Sequence, residues 1–405
     1  MQWITMFIVI MPLLLQALLQ FFYLPGAIKY TVDIAWMITM LYMIFSKRIK
    51  FNRKVLPFIV FILIFFCYCL IIYLLRYQSV FYFLWGFRNN FRFYIAFLAI
   101  VLFLERDDID FIFKLIDVLF VVNIFVSVYQ IFVLDLMKDY CGGIFGSETG
   151  SNASTLIFFS IVVSRSVLGY MNQKENVAAC CAKCIAALAL AVFAELKFFF
   201  VVFAIILIMA CFVTPFSFKK LAVVLASILL IGVAASLYQF IFESELSIET
   251  FLAHFTYEHY SSAEDLGRFT AIPRIAEAIH TDLASKLFGK GLGNCDTSSF
   301  AICNTPFFKT HSGMNYIWFS SACWFLETGF VGLFSYLAFF VFCFVKGFKL
   351  VKRGTGDQLF SQLSVIMAVL CVMLTFYNSS LRTEIGYLAF FILALPFIND
   401  SEESI

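Results

Sequence analysis

The chain has 405 residues, of which 63% are hydrophobic and only 13% are charged. A soluble globular protein is close to half apolar and a quarter charged, so this composition excludes a soluble fold and indicates an integral membrane protein. The 28 Lys and Arg residues stand against 26 Asp and Glu residues. That balance excludes a nucleic-acid-binding protein, because it leaves no basic excess to neutralise phosphates.

Apolar runs long enough to span a bilayer recur along the whole chain. About 20 residues of apolar helix cross the hydrocarbon core. The runs that approach this length are 3–24, 31–46, 55–75, 80–104, 111–134, 151–170, 177–194, 198–214, 221–242, 314–345, 359–378 and 384–398. We therefore predict an all-α, polytopic inner-membrane helical bundle with about twelve transmembrane helices. It divides into spans one to nine at 1–242, an extracytoplasmic loop at 243–313, and spans ten to twelve with a cytoplasmic tail at 314–405.

Basic residues in the short loops predict the orientation. They cluster between spans two and three, eight and nine, and ten and eleven: Lys47, Arg48, Lys50, Arg53, Lys54, Lys219, Lys220, Lys346, Lys349, Lys352 and Arg353. The positive-inside rule places these loops in the cytoplasm. Both termini are then cytoplasmic, and the large loop 243–313 is extracytoplasmic.

The large loop carries the polar side chains expected of a functional element. Its apolar residues recur with the spacing of an amphipathic helix that ends at Gly289–Gly293: Ile272, Ile275, Ala276, Ile279 and Leu283. All four His residues of the protein also lie in this loop: His254, His259, His280 and His311. Cys295 and Cys303 lie there as well, and their spacing is compatible with a disulfide in an oxidising compartment and with two free thiols.

Two arginines lie at membrane depth in the fourth run. Arg88 and Arg92 are spaced i, i+4, which places both guanidinium groups on one helix face. A charge at the centre of a membrane helix costs roughly 2.5–3.5 kcal/mol on insertion scales, so such residues usually face a polar interior. The pair predicts either a site for an anion such as a phosphate or an internal pairing with carboxylates. Local ion pairs are expected for Glu195 with Lys197, and for Arg382 with Glu384.

Several segments resemble one family, the bacterial O-antigen polymerases and O-antigen ligases. The segments that carry the resemblance are Gly267–Phe269, Leu287–Gly293, His311–Ser312, Asn315–Tyr316 and Leu326–Leu333, with weaker similarity at Gly143–Ser147 and Ala194–Lys197. They look like the family's arginine, its glycine-rich turn, and its histidine followed by a Glu-Thr-Gly segment. The architecture, with one large extracytoplasmic loop late in the chain, is similar too.

The resemblance implies a metal-independent glycosyltransferase without a cofactor. Its substrates would be an undecaprenyl-diphosphate-linked glycan donor and acceptor in the membrane lipid, and a regulator of chain length is a candidate partner. We assign His311 and Arg268 to catalysis, and Arg88, Arg92 and Arg274 to the diphosphate. Glu264 and Asp265 are alternate bases. We expect Arg88, Arg92, Arg268 and His311 to meet around one anionic headgroup.

Three functions follow from this pattern. The first is polymerisation of lipid-linked repeat units into O-antigen, capsule or exopolysaccharide at the outer face of the inner membrane. The second is a ligase that transfers finished polymer to an acceptor. The third, from a different class, is a secondary transporter, which twelve spans and cytoplasmic termini also fit.

Overall fold

The computed structural model describes residues 1–46, 54–136, 138–148, 150–215, 218–242 and 266–398. Within these ranges the chain is helical and contains no strand. The α-helices are α1 (Gln2–Gln20), α2 (Tyr30–Phe45), α3 (Leu56–Arg76), α4 (Val80–Phe103), α5 (Arg106–Phe132), α6 (Asn152–Met171), α7 (Val177–Phe193), α8 (Lys197–Val213), α9 (Phe218–Phe242), α10 (Ala271–Ala278), α11 (Leu283–Phe288), α12 (Pro306–His311), α13 (Ser320–Arg353), α14 (Gln358–Tyr377) and α15 (Gly386–Ala394).

The apolar helices have the character of a membrane protein. Each predicted run contains a helix, and seven helical segments in the described ranges are long and apolar enough to cross a membrane: α1, α2 extended by the 3-10 turn Gly26–Lys29, α3, α5, α6, α13 and α14. Shorter apolar helices lie in α7, α8, α9 and α15. A backbone in hydrocarbon must satisfy its own hydrogen bonds, so long apolar runs fold as helices. The all-helical prediction is confirmed, and the structure supports seven candidate spans.

Polar side chains set the starts of several helices. The Ser79 hydroxyl accepts a hydrogen bond from the Phe81 N–H at the start of α4. The Asp357 carboxylate accepts one from the Phe360 N–H at 3.2 Å at the start of α14. Such caps satisfy amide groups that a helix leaves without an internal partner.

The helix α4 lies at the centre of the bundle. From Asn90 to Val101 its residues are almost all buried. Aromatic rings from other helices surround it, and Tyr94 lies 4.8 Å from the ring of Phe339 and 5.5 Å from that of Phe390. This packing fixes the position of α4 and therefore of the polar residues nearer its start, such as Arg88 and Asn89.

The predicted amphipathic helix of the large loop is in fact two short helices, α10 and α11. Just after the end of α10, the His280 N–H donates to the Ile275 carbonyl at 2.8 Å. The Asp282 carboxylate then caps the second helix by accepting from the Ser285 N–H at 2.8 Å. Leu283, which the spacing assigned to the apolar face, is 72% exposed. The Asp282 cap therefore begins a new helix at a point where the apolar spacing predicted one continuous helix.

Other predictions for this loop have different outcomes. Cys295 and Cys303 are both free thiols, the first buried and the second half-buried, so no disulfide joins them. The segment 243–265 lies outside the described residues, and with it His254, His259 and the alternate bases Glu264 and Asp265.

Candidate anion-binding site

The long helix α13 is broken at Gly329, where φ is 63° and ψ is −166°. Three carbonyls beside the break accept hydrogen bonds from outside the helix: Leu326 O from Lys290 N–H at 2.9 Å, Glu327 O from Gly291 N–H at 2.8 Å, and Thr328 O from the Tyr68 hydroxyl at 2.6 Å. Irregular backbone in a membrane protein is stable only where protein groups satisfy it. The glycine turn of the large loop therefore stabilises the break.

Close backbone contacts explain why glycines occupy this turn. Gly293 has a φ of +78°, and a Cβ atom there would lie 1.9 Å from the Tyr82 carbonyl oxygen of α4. A Cβ atom at Gly86 would lie 2.4 Å from the Gly293 nitrogen. Real Cβ atoms do not approach backbone so closely. The turn is therefore packed between α4 and the break in α13.

A buried histidine supports the same region. His280 has no exposed surface, and its Nε2 lies 3.2 Å from the Phe325 carbonyl oxygen of α13. A carbonyl only accepts, so Nε2 carries the proton and donates. Burial lowers the pKa of His280 to about 4, and the nearby Lys290 acts in the same direction. The side chain is therefore neutral at pH 7.

The lowered pKa of His280 predicts that the folded protein loses stability in mild acid. Its pKa is about 4 in the folded protein and about 6.5 in an unfolded chain. The neutral His280 side chain therefore makes its full contribution to the free energy of unfolding above about pH 6.5. This contribution is lost as the pH falls towards 4, by up to about 3 kcal/mol. We expect the thermal unfolding midpoint in detergent to fall over this interval, and to fall less in His280→Gln, whose amide can still donate to Phe325. An equal acid sensitivity in both proteins would contradict this.

A network of paired charges connects the helices around the turn. Its contacts are Arg88 Nη2 to Asp33 Oδ2 at 2.7 Å, Arg92 Nη1 to Glu384 Oε1 at 3.2 Å, Arg382 Nη2 to Asp296 Oδ2 at 3.1 Å, Asn89 Nδ2 to Asp296 Oδ2 at 2.6 Å, and Arg382 Nε to Asn90 Oδ1 at 3.2 Å. These contacts join α2, α4, the large loop and the connection between α14 and α15. Desolvated charges are stable only with such partners.

An open cavity of about 480 Å³ borders this network. Its polar lining includes Lys29, Arg88, Glu384 and the backbone segment Thr297–Ser299. No carboxylate among the described residues lies within 4 Å of the Lys29 ammonium, which lies over the ring of Tyr30. The wall therefore presents one ammonium, for which the described residues supply no carboxylate partner, and the Arg88 guanidinium, which Asp33 holds.

The acid in the cavity wall remains ionised. Burial opposes ionisation of the Glu384 carboxyl, but Arg92 and Arg88 outweigh it and hold its pKa below the ordinary value. Its side chain is 31% exposed. Glu384 is thus an anion that orients the arginines and still reaches the cavity.

A second, apolar cleft of about 400 Å³ lies between α1 and α2. Its walls are Trp3, Ile4 and Phe7 of α1 and residues of α2 that include Ile34 and Ile38. The helix α2 thus lines the apolar cleft and also carries Asp33, which pairs with Arg88. A ligand with an anionic head and a hydrocarbon tail matches this pair of surfaces.

The two arginines predicted at membrane depth lie in the network. Arg88 binds Asp33 through both Nε and Nη2 and also lines the cavity. Arg92 is buried and pairs with Glu384. Both arginines therefore pair with carboxylates inside the protein, which was one of the two interpretations. Of the two, only Arg88 also lines the cavity.

The other predicted residues lie in different surroundings. The Arg268 guanidinium lies 4.7 Å from the Tyr377 ring at the end of α14, and its Nε is buried. Arg274 is half-buried on α10. His311 is half-buried at the end of α12 and stacks on Phe307. None of the three is among the described residues that line the cavity, so the expected meeting of Arg268 and His311 with Arg88 is not what the structure shows.

Sequence reasoning missed several members of the site. Asp33 was overlooked, although it is an acid within an apolar run, which is the signal that drew attention to Arg88. Arg382 and Glu384 were expected to pair locally, but Arg382 binds Asp296 and Glu384 binds Arg92. The predicted pair of Glu195 and Lys197 does form, at 3.2 Å. Nothing in the sequence marked Lys29 or Asp296, because their partners and neighbours are distant in the chain.

No protein-family model, no curated protein and no solved structure matches this chain. Its function therefore has to be argued from the residues and geometry of the site.

Proposed function

We propose that this protein is a membrane glycosyltransferase that polymerises undecaprenyl-diphosphate-linked repeat units at the outer face of a bacterial inner membrane. In this proposal the chain crosses the membrane about twelve times, both termini are cytoplasmic, and the large loop is extracytoplasmic. The observation that carries it is the cavity lined by both Lys29 and Arg88, together with an apolar cleft whose lining begins at Thr31, the residue after the cavity residue Tyr30. Such a pairing suits a diphosphate attached to a polyprenyl chain.

The cations supply what the leaving group requires. During transfer the bond between the sugar C1 and the diphosphate oxygen breaks, and negative charge develops on the diphosphate. Lys29 and Arg88 are placed to stabilise that charge, as preorganised cations do in other transfer reactions. Asp33 accepts hydrogen bonds from Nε and Nη2 of the Arg88 guanidinium, and Nη1 donates to Asn89 Oδ1 at 2.7 Å. The pairing with Asp33 thus fixes the orientation of the guanidinium.

The acceptor hydroxyl requires a base, and His311 has the correct tautomer. Its Nδ1 lies 3.2 Å from the Phe307 carbonyl oxygen, so Nδ1 carries the proton and donates. Nε2 is then the acceptor that takes the proton of the attacking hydroxyl as the new bond to C1 forms. His311 and the cavity wall at Thr297–Ser299 belong to one continuous segment of the large loop. The proposal therefore requires His311 to reach the donor when the acceptor is bound.

The resemblance that suggests this function is supported by one contact. The glycine turn and the Glu-Thr-Gly segment, which carry the resemblance, pack against each other at Gly289 and Glu327, where a Cβ atom on the glycine would lie 2.5 Å from the glutamate carbonyl oxygen. They position Asp296, which holds Asn89 beside Arg88. A motif pair that packs together and leads to Asp296, a neighbour of Asn89 and Arg382, is consistent with a shared function.

Replacing Lys29 with glutamine tests the proposal with little structural disturbance. The Lys29 side chain has no carboxylate partner among the described residues and lies over the Tyr30 ring, so its loss should lower the unfolding temperature only slightly, through the lost cation–π contact. We expect kcat/KM for a lipid-diphosphate-linked oligosaccharide to fall about 10- to 100-fold, because a charge-assisted contact to the leaving group is lost. Chain extension by the purified protein in proteoliposomes measures this.

The matched control is Lys349→Gln, which removes the same charge from α13 far along the helix from Gly329. Normal activity in Lys29→Gln would remove Lys29 from the site. Absence of any chain extension by the native protein, with transfer of finished polymer to an acceptor instead, would assign the ligase function.

One observation favours a transporter as the second candidate. A discontinuous membrane helix, such as α13 at Gly329 with the buried Glu327 beside it, is a common element of substrate and ion sites in secondary transporters. Uptake of a labelled solute by proteoliposomes, with no glycan extension, would select this function over the glycosyltransferase.

A further inference from the structure

A second polar pocket lies at the ends of several helices, away from the cavity at Arg88. It has a volume of about 270 Å³ and is lined by the cations Lys54, Arg106 and Arg353 and the carboxylate of Asp357. The remaining described lining is mainly apolar and includes Ile109, Leu350, Phe360, Leu395 and Ile398. The pocket is separate from the cavity at Arg88, with which it shares no lining residue.

Helix termini place this pocket at the depth of a membrane surface. Lys54 precedes the first residue of α3, Arg106 begins α5, and Arg353 ends α13. All three helices are among those long and apolar enough to cross a membrane. If these helices cross the membrane, their ends, with the three cations, would lie near the level where hydrocarbon meets water.

The single carboxylate in the described lining is already engaged. The Asp357 Oδ2 atom pairs with the Arg106 guanidinium and lies 3.9 Å from the Lys174 ammonium. The Oδ1 atom accepts from the Phe360 N–H at 3.2 Å. The described lining therefore holds three cations and one carboxylate. Arg106 is engaged by Asp357 and also by Asp110, which lies 3.7 Å away and outside the lining, whereas Arg353 is exposed at the end of α13.

We propose that this pocket binds the phosphodiester headgroup of an anionic phospholipid. The phosphate would lie against Arg353 and Lys54, since basic pockets between membrane helices attract such headgroups. An acyl chain would follow the apolar wall at Leu350 and Ile398. This wall is the reason to choose a lipid, because a soluble phosphate or nucleotide gains nothing from it. The site is independent of the proposed glycosyl transfer.

Lipid binding by two single-charge variants tests the site. The full-length protein is purified in neutral detergent and titrated with dioleoyl phosphatidylglycerol, and bound lipid is counted by native mass spectrometry. We expect Arg353→Gln to weaken binding about fivefold, the effect of one cation near a membrane surface. Lys349→Gln is the matched control, because it removes one charge from the same helix without lining the pocket. It should retain native affinity.

Two further probes distinguish the sources of the anion. Dioleoyl phosphatidylcholine, which has no net charge, should bind equally weakly to the native protein and to Arg353→Gln. Inorganic phosphate should not compete with phosphatidylglycerol at millimolar concentration. Equal phosphatidylglycerol affinity in Arg353→Gln and Lys349→Gln would overturn the proposal, and so would full competition by inorganic phosphate. Arg353 is exposed, and its side chain makes no ion pair with a described residue, so the variant should fold normally.

Discussion

Replacing Gly293 with alanine should prevent the protein from folding to its native structure. The new Cβ atom would lie 1.9 Å from the Tyr82 carbonyl oxygen and 2.8 Å from the Gly86 nitrogen, both of which belong to the backbone of α4. Backbone in a packed helix cannot move aside as a flexible side chain can. Relief would require the turn to leave its position, which would also remove the donors to the broken helix α13. We expect most of the protein to be lost as aggregate when it is extracted and analysed by size-exclusion chromatography.

The Gly354→Ala variant separates the contact from the backbone conformation. Gly354 has a similar φ of +67°, but a Cβ atom there meets nothing within 4 Å. It should cost only the penalty of left-handed backbone, roughly 1–2 kcal/mol. If Gly293→Ala and Gly354→Ala gave the same yield of monodisperse protein, the close packing of the turn against α4 would be wrong.

Replacing Arg382 with alanine should destabilise the protein by about 3–5 kcal/mol, the usual cost of removing one partner of a buried ion pair. The side chains of Arg382 and Asp296 are only 10% and 8% exposed. Loss of the guanidinium would leave Asp296 with Asn89 as its described side-chain donor, and close to the buried Glu327. We expect a large fall in the thermal unfolding midpoint of the purified protein in detergent.

A double-mutant cycle identifies the origin of this effect. Asp296→Asn in the Arg382→Ala background removes the isolated charge and should recover part of the lost stability, with a coupling energy of about 1–3 kcal/mol. The control is Asp110→Asn, which breaks an exposed pair with Arg106 whose side chains are 46% and 50% exposed. That change should cost less than about 0.5 kcal/mol. Additive effects of Arg382→Ala and Asp296→Asn would mean that the ion pair contributes nothing to stability.

These two sites also organise the proposed chemistry. Gly293 places the glycine turn against α4, and the turn leads directly to Asp296. Asp296 in turn holds Asn89 and Arg382. In the proposed function, a variant that disturbs these contacts should therefore lose transfer activity through Asn89, which accepts from Arg88, even where the protein remains folded.

The helices themselves could be predicted from the sequence because their cause is local. An apolar run of sufficient length must form a helix in hydrocarbon, and each predicted run does contain one. The boundaries agree closely for α4, which was expected at 80–104 and spans Val80–Phe103. Periodicity was less reliable in the polar loop, where the Asp282 cap divided one expected helix into two.

The carboxylates that pair with Arg88 and Arg92 could not be predicted from neighbouring residues in the sequence. The sequence indicated that Arg88 and Arg92 require a polar environment, but it did not indicate that Asp33 and Glu384 provide it. The paired residues are separated by 55 and 292 positions along the chain. Such pairs are decided by which helices pack side by side, and a single sequence carries no direct record of that packing.

Composition and run length act on each segment separately, and they are sufficient to indicate a helical membrane protein whose charges must face inwards. Which carboxylate meets which arginine, where α13 breaks and which cations line a cavity depend on contacts in the folded chain. Lys29 and Arg88 share a cavity because the connection before α2 and the helix α4 are packed together. The physical reason is that burial and pairing depend on neighbours in space, and these neighbours come from distant parts of the chain.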